Sequence, residues 1–340
     1  RGDLLMDKKR IMIIDGNSLM YRAFYGLRLL TTSKGIYTNA VYGFTNMLFN
    51  LIEEYHPHYI GVAFDLKGPT FRHEVYKDYK GNRTKTPEEL LPQFPLVKNL
   101  LRAMDIDIYE EEGYEADDIL GTFSKIAEDE GNKTYLVTGD RDALQLVSDN
   151  TILLLNRRGT TDMQVFRPKE VKEVYGIKPE QVIDQKALMG DSSDNIPGVP
   201  GVGVKTSLKL LNQFQTLDGV YSNIDEISGK KLKENLITYK EQAYLSQILS
   251  KIIKDVPIDI HLQEASYKIP KTRELRSVLE ELEFNSIIGR LNLEEVDRDK
   301  EPFIDSSKIL TIDSLKEMKD VIKDIPQSKR VSILVDDNYL

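Results

Sequence analysis

IMIID, residues 11–15, is a run of apolar and mostly β-branched residues that ends in an aspartate. Two later runs have the same form, since YIGVAFD closes at Asp65 and TYLVTGD closes at Asp140. Helical patterns lie between the three runs. This alternation predicts an α/β fold, a mostly parallel sheet flanked by helices. Because parallel strands end at the same edge of a sheet, the three aspartates are predicted to lie close together.

Six more carboxylates are predicted near this edge. The segment GYEADDILGTF begins a helix, with Ala116, Ile119 and Phe123 at helical spacing, and it carries three acids in its first turn. GDRD adds one acid after the third run, and GDSSDN adds two before a glycine-rich loop. The nine acids are Asp15, Asp65, Glu115, Asp117, Asp118, Asp140, Asp142, Asp191 and Asp194.

Each of these acids alone has an ordinary explanation, because acids in a first helical turn compensate the helix dipole and aspartate is a common turn residue. Their concentration at one edge is different, since only a polycation offsets the mutual repulsion of so many anions. Oxygen ligands without histidine or cysteine favour hard cations such as Mg²⁺ or Mn²⁺ over zinc. The acids are too numerous for one such ion, so two ions are predicted, as in phosphoryl-transfer enzymes.

Composition sets further bounds. The chain has 46 basic and 55 acidic residues, a formal net charge of −9, which is unusual for a nucleic-acid binder. The acidic cluster contributes to that charge, however, and local patches decide binding. The absence of cysteine excludes disulfides, thiol catalysis and cysteine-ligated zinc, and it fits a reducing cytoplasm. The spacing of the four histidines fits neither a metal site nor a catalytic triad. The sequence shows no transmembrane run and no signal peptide, so no membrane partner is predicted.

Basic residues concentrate between residues 67 and 85, where six lysines and arginines face only two acids and aromatic residues are interleaved. Basic side chains neutralise phosphates, and aromatic rings stack on unpaired bases. A solvated helical face would explain an arbitrary stretch of this kind. Its position beside the predicted metal site favours nucleic-acid contact. The candidate contacts, with one arginine from the helix after Asp15, are Arg22, Arg72, Tyr79, Lys80 and Arg83.

A glycine-rich loop, NIPGVPGVGVKTSLKLLNQF, spans residues 195–214. Its glycines permit close backbone approach, and Thr206 and Ser207 are predicted to cap the helix that follows. Free backbone N–H groups at the start of a helix can hold a phosphate. The spacing is not that of a nucleotide-binding P-loop, because Val204 follows Gly203 where a lysine is required. The candidate duplex contacts are Gly198, Gly201, Gly203, Lys205 and Thr206.

Five motifs in this order resemble those of the N-terminal 5′-nuclease (5′–3′ exonuclease) domain of bacterial DNA polymerase I, in the flap endonuclease superfamily. They are IIDGNSLMYRAF, AFDLKGPTFRHEVYKDYKGNR, GYEADD, TGDRD and GDSSDNIPGVPGVGVKT. The match covers about residues 9–292. It implies a PIN-like core with a helical arch and a helix–hairpin–helix (H3TH) portion that binds duplex.

The resemblance also implies individual roles. For the first metal ion it implies Asp15 (through water), Asp65, Glu115 and Asp117. For the second it implies Asp140, Asp142 and Asp191, with Asp118 and Asp194 as supporting acids. Lys80 and Arg83 would grip the scissile phosphate and the flap, and Arg22 would steer a phosphate. The loop at 198–206 would hold a K⁺ ion while contacting the duplex.

The implied activity is that of a 5′–3′ exonuclease and flap endonuclease that requires Mg²⁺ or Mn²⁺. Its substrates would be DNA with 5′ flaps, nicks or recessed 5′ ends, and RNA primers paired to DNA. We expect a monomer, cytoplasmic and associated with the bacterial nucleoid, working in replication and repair as part of a polymerase. The alternatives are a stand-alone exonuclease of the same family, a DNA-binding scaffold without catalysis and a PIN-type ribonuclease.

The predicted organisation has five parts. Residues 1–8 are an N-terminal extension, in which Met6 fits a natural start with residues 1–5 upstream of it, and residues 9–184 form the nuclease core with the arch near residues 67–95. Residues 185–292 form the helical H3TH portion. Residues 293–307 are charged and poorly periodic, which predicts a linker. Residues 308–340 have a strand–helix–strand pattern and resemble the start of a 3′–5′ exonuclease-like domain.

Overall fold

A computed structural model describes residues 8–159, 162–260 and 267–293. The predicted linker beyond residue 293 and the predicted exonuclease-like segment at 308–340 lie outside the described residues. Six strands form the sheet: β1 Arg10–Asp15, β2 Tyr59–Ala63, β3 Asp107–Tyr109, β4 Lys133–Thr138, β5 Thr151–Arg158 and β6 Asp162–Phe166.

Thirteen α-helices accompany these strands in the described part of the chain. They are α1 Gly16–Gly26, α2 Asn39–Tyr55, α3 Phe71–Val75, α4 Gln93–Ala103, α5 Ala116–Asp129, α6 Pro168–Tyr175, α7 Val182–Met189, α8 Val204–Phe214, α9 Leu217–Ser222, α10 Lys230–Thr238, α11 Lys240–Ser250, α12 Arg273–Glu281 and α13 Asn285–Arg290. Among the residues described, no helix is long and apolar enough to cross a membrane.

The sheet confirms the predicted fold class. Its strand order is β3-β2-β1-β4-β5-β6, and every neighbouring pair is parallel except β5 and β6. The central strand β1 is almost wholly buried because helices cover both faces of the sheet, which explains its continuous apolar sequence. Asp15 ends β1, while Asp65 and Asp140 each follow the end of a strand next to β1 by two residues. The three predicted aspartates therefore emerge at one edge.

One apolar cluster extends from the sheet into the helical portion. Ile11 and Ile13 of β1 belong to the same cluster as Ile119 and Phe123 of α5, and the cluster continues through Ala187 of α7 into α8 and α9. The predicted division of the chain at residue 184 falls inside α7. The core and the helical portion thus share their packing across this helix.

The segment between β2 and α4, predicted as a helical arch, contains one short helix, α3, and otherwise turns. Three prolines and two glycines interrupt any longer helix, since proline lacks the N–H donor and glycine costs backbone entropy. Lys80 itself has a left-handed backbone, φ +54°. A capping box begins α3, in which the N–H of Thr70 donates to Nδ1 of His73 (3.0 Å).

The glycine-rich loop leads into α8, which begins at Val204. The prediction that Thr206 and Ser207 cap this helix is therefore wrong, because both residues lie inside it. Gly203 is the residue that precedes it, with an extended backbone and no capping side chain, so the first-turn N–H groups receive no side-chain cap. The N–H of Gly198 donates to Oγ of Ser246 on α11 (3.0 Å), which ties the loop to that helix.

Candidate metal and nucleic-acid site

A cleft of about 920 Å³ lies at the carboxyl edge of the sheet. Six of the nine predicted acids line it: Asp15, Asp65, Asp117, Asp140, Asp142 and Asp191. The cations on its wall are Arg22, Lys80, Arg83, Arg141, Arg157 and Lys186. The structure therefore brings most of the predicted acids together beside three of the predicted basic contacts.

Asp15 is held by the local turn from β1 into α1. Its carboxylate accepts hydrogen bonds from the N–H of Ser18 (2.9 Å), as the N-cap of α1, and from Oγ1 of Thr138 (2.7 Å) at the end of β4. Burial and the neighbouring Asp65 raise the pKa of Asp15 to about 7. The same two strands that form the centre of the sheet thus fix this acid at the floor of the cleft.

Asp65 connects the end of β2 to the start of α5. Its N–H donates to Oδ1 of Asn17 (3.0 Å), and its Oδ1 accepts from the N–H of Ala116 (2.8 Å). Desolvation raises the pKa of Asp65, although the Ala116 N–H and the charge of Lys80 oppose the rise. The helix dipole of α5 also favours an anion at this point.

Asp117 carries the clearest sign that the site takes a cation. Its Oδ1 is buried and has no hydrogen-bond partner. Desolvation, followed by the charges of Asp140 and Asp15, raises its pKa well above the ordinary value. A buried carboxylate oxygen without a partner is costly unless a positive charge faces it. The all-oxygen surroundings fit a hard divalent ion such as Mg²⁺ or Mn²⁺.

Lys80 and Arg83 form ion pairs with two of the acids predicted for the metal site, Glu115 and Asp194. Nζ of Lys80 lies 2.6 Å from Glu115, and Arg83 lies 2.7 Å from Asp194. Among the described residues, no group of three or more carboxylate or imidazole side chains is already placed to hold a metal ion.

The second group of acids is paired with Lys186 of α7. Its ammonium forms ion pairs with Asp142 and with Asp191 (2.5 Å). Burial alone would raise the pKa of Asp191, but Lys186 and Ser193 lower it to about 2. Burial and the charge of Asp140 raise the pKa of Asp142 to about 7. Asp142 and Asp191 thus meet at one ammonium group although they are distant in sequence.

Three predicted site residues are buried in structural roles. The guanidinium of Arg72, which is 2% exposed, makes two 2.7 Å hydrogen bonds to the fully buried Asp118. Asp118 also accepts from the N–H of Ile253 (2.8 Å). Tyr79 is 3% exposed and donates to Glu115 (3.1 Å). Arg72 and Tyr79 are buried away from the cleft, which argues against the prediction that they contact DNA directly. Asp118, predicted as a supporting acid, accepts from the N–H of Glu115 (3.1 Å), and its part in the metal site stays a prediction.

Arg22 also lines the cleft. Its guanidinium donates to the carbonyl oxygens of Gly139 (3.3 Å) and Arg157 (3.2 Å). A Cβ at position 139 would lie 2.7 Å from Nε of Arg22, so the glycine of GDRD allows this approach. The aromatic side chain of Tyr25, 71% exposed, lines the same cleft.

Sequence reasoning missed Lys186 and Asn17. Lys186 shows only as a basic residue on a short helix ahead of GDSSDN, and its spacing from Asp142 gives no warning of their contact. Asn17 lies in IIDGNS, where a turn residue after a strand is the ordinary expectation. Only the folded chain brings each beside its acid.

The chain combines a mostly parallel α/β sheet with a cleft at the sheet's carboxyl edge, where acids and basic side chains lie together. Two family models match it: "5′-3′ exonuclease, N-terminal resolvase-like domain" over residues 10–176 and "5′-3′ exonuclease, C-terminal SAM fold" over residues 177–273. The chain belongs to the 5′–3′ exonuclease family.

Relatives and solved structures agree with this family. The chain is 43% identical over 337 residues to DNA polymerase I of Bacillus subtilis (strain 168), a match that covers 98% of this chain and 38% of that protein. It therefore spans well under half the length of this relative.

Two solved structures of a bacteriophage T5 enzyme share the fold. T5 5′-exonuclease with bound divalent zinc ions is 26% identical, with a TM-score of 0.59, over 71% of this chain and 89% of that one. The T5 flap endonuclease in a pseudo-enzyme–product complex with DNA and metal ions is 25% identical, with a TM-score of 0.58, over 72% and 89%.

Proposed function

We propose that this chain is the 5′-nuclease portion of a bacterial DNA polymerase I. It hydrolyses phosphodiester bonds at 5′ flaps, nicks and recessed 5′ ends of DNA, and in RNA primers paired to DNA. The observation that carries the proposal is the cleft in which six carboxylates face Arg22, Lys80 and Arg83. Anions gathered beside cations suit a site that binds both metal ions and phosphates.

The acids of the cleft would hold two Mg²⁺ or Mn²⁺ ions. Asp15, Asp65, Glu115 and Asp117 serve one position, and Asp140, Asp142 and Asp191 serve the other. When bound, the ions supply an activated water and stabilise the oxygens of the bond that is broken. The partnerless Oδ1 of Asp117 supports this assignment, as do the metal ions in the T5 relatives.

The basic side chains of the wall bind and orient the substrate. Lys80 and Arg83 stand beside Glu115 and Asp194, within reach of a phosphate that enters the cleft. Arg22 lines the same cleft and would contact a neighbouring phosphate. Phosphate contacts of this kind fix the register of the strand without reading its sequence.

The loop at 198–206 binds the downstream duplex. Support comes from the first turn of α8, which lacks a side-chain cap and offers its N–H groups and Lys205 to one backbone phosphate. A K⁺ ion held by the backbone carbonyls of the loop completes this contact. The T5 flap endonuclease complex contains DNA, which supports a nucleic-acid partner for this fold.

The cellular setting follows from the polymerase relatives. We propose that the nuclease works as a monomer in the cytoplasm, at the nucleoid, as the N-terminal part of a polymerase that acts in replication and repair. The 43% identity to a DNA polymerase I supports this setting. Sequence beyond Leu340 that carried polymerase motifs would establish it.

The test uses a labelled DNA flap and the same flap with its 5′ segment as RNA. With Mg²⁺ or Mn²⁺ we expect cleavage that leaves 5′-phosphate products, and none in excess EDTA. Asp140→Asn should reduce the rate by at least about 100-fold, because removal of one transition-state stabilising group has effects of this size. Cleavage that persists unchanged in EDTA, or that fails with both metals, contradicts the proposal.

A further inference from the structure

We infer that Lys186 is an internal cation that occupies the second metal position and has to leave it when a divalent ion binds. The inference rests on the metal site of the proposed function and concerns how that site is loaded. Its basis is the placement of one ammonium group between two acids that come from different parts of the chain.

The geometry around Lys186 is that of a filled cation site. Its ammonium pairs with Asp142, in the turn after β4, and with Asp191, beyond α7. The side chains of the lysine and of the two acids are only 12%, 15% and 17% exposed. The other oxygen of Asp191 accepts hydrogen bonds from the N–H (2.8 Å) and Oγ (2.6 Å) of Ser193. The ammonium thus takes the oxygen of Asp191 that remains available for a metal ion.

A divalent ion and an ammonium cannot share these carboxylates at such short range, because like charges repel strongly where solvent is scarce. Displacement of the Lys186 ammonium therefore limits both the rate and the affinity of metal binding at this position. Once displaced, the ammonium lies free in a cleft that a phosphate enters, and the phosphate is its new partner. Metal and substrate then favour each other's binding, since linkage of this kind is reciprocal.

Lys186 differs from the lysine on the other side of the cleft. Nζ of Lys80 contacts Glu115 at 2.6 Å but lies 4.0 Å from Asp194, so it holds one carboxylate closely. Lys186 bridges two acids and is the more buried of the two lysine side chains, 12% against 17% exposed. The competition with metal is therefore assigned to Lys186.

The test measures Mn²⁺ binding to the full chain without DNA, by calorimetry and by the electron spin resonance of free Mn²⁺. Lys186→Met should bind its weaker Mn²⁺ ion about tenfold more tightly than the wild type, a coupling of ordinary size for two ligands of one site. Lys186→Arg keeps the charge and should stay close to the wild type. Lys172→Met is the matched control, because this substitution removes the same charge outside the cleft. Lys172 lies on α6 and donates to uncharged partners, the carbonyl oxygen of Gly176 and Oδ1 of Asn212.

A second readout follows thermal unfolding. In EDTA, Lys186→Met should melt below the wild type, because two buried carboxylates lose their counter-charge, and Mn²⁺ should then stabilise the variant more than the wild type. If the variant is unfolded without metal, the Mn²⁺ dependence of its melting temperature gives the same affinity.

The outcomes separate the inference from the proposed function. Wild-type protein that binds two Mn²⁺ ions, with Lys186→Met binding no more tightly, overturns the inference and leaves the metal site standing. Wild-type protein that binds no Mn²⁺ overturns the metal site and the inference together. Added flap DNA should tighten Mn²⁺ binding in the wild type and do so less in Lys186→Met, and equal tightening in both contradicts the coupling.

Discussion

Arg72 lies with its guanidinium inside the protein, where it joins three segments of the chain. It pairs with Asp118 of α5 and donates to the carbonyl oxygens of Leu249 (3.1 Å) and Lys251 (2.8 Å) at the end of α11. The same guanidinium reaches Glu115 at 3.3 Å. Its sequence setting, a basic stretch with aromatic residues, resembles that of an exposed nucleic-acid contact, and only its contacts with α5 and with the end of α11 distinguish the two.

We predict that Arg72→Met lowers the free energy of unfolding by about 3–5 kcal/mol, because it leaves the charge of Asp118 buried without its counter-charge. Lys169→Met is the control, since the Lys169–Glu173 pair is exposed and should contribute less than about 0.5 kcal/mol. Urea denaturation of the metal-free chain measures both. An Arg72→Met variant of unchanged stability that loses DNA affinity would restore the direct-contact hypothesis.

At the scale of elements, the glycine-rich loop and α8 form the proposed duplex-binding surface. The loop packs against the end of α7, where a Cβ at Gly198 would lie 2.2 Å from the backbone N of Gly190. The sequence located this loop from its glycines, but it placed the start of α8 too late. Thr206 and Ser207 are good capping residues, and no local signal shows that contacts with α7 and α11 fix the helix to begin at Val204.

We predict that substitutions at two glycines of this loop differ strongly in their effect on stability. Gly198→Ala should destabilise the chain by about 2 kcal/mol or more, because the residue combines φ +60° with direct backbone contact. Gly203→Ala should change stability by less than about 1 kcal/mol, since a Cβ there meets nothing within 4 Å. Thermal unfolding compares them. Equal tolerance at both positions would mean that the loop is not held against α7 as described.

For the whole molecule, the net charge hides a local mixture, because acids and basic side chains line the same cleft. A net charge of −9 does not prevent DNA binding when lysines and arginines stand at the phosphate positions. The cleft contains Lys80, whereas Lys205 belongs to the exposed start of α8. The two regions are therefore expected to act at different parts of one substrate, the scissile phosphate and the downstream duplex.

We predict that Lys80→Ala lowers the single-turnover cleavage rate while duplex affinity changes little. Lys205→Glu should weaken duplex binding, and salt should suppress binding by the wild type steeply through counterion release. Rapid-quench kinetics and anisotropy titrations on a flap with a downstream duplex measure the two effects, with Lys169→Glu on α6 as the control for added negative charge. Normal duplex binding by Lys205→Glu, together with loss of binding in Lys80→Ala, would reverse the assigned roles.

The sequence was most informative where local pattern and position coincide. The three apolar runs predicted strands and the acids at their ends, because burial on both faces leaves an unmistakable run of apolar residues. It was least informative about which charged groups meet. Lys186 and Asp142 lie 44 positions apart, and Arg72 and Asp118 lie 46 apart, so their pairing depends on tertiary packing. In the segment predicted as a helical arch, the prolines and glycines were a local sign against a long helix, and the prediction gave them too little weight.

The contact between Asp118 and the N–H of Ile253 has a consequence for the time at which the site forms. The acids of the cleft come from segments between Asp15 and Asp191, and the buried pair that supports Glu115 is completed only by the chain just beyond α11. On a ribosome, a growing chain would carry every acid of the cleft before the segment that completes the support of Glu115 has been made. We therefore expect the full site to form only after the residues just beyond α11 have left the ribosome.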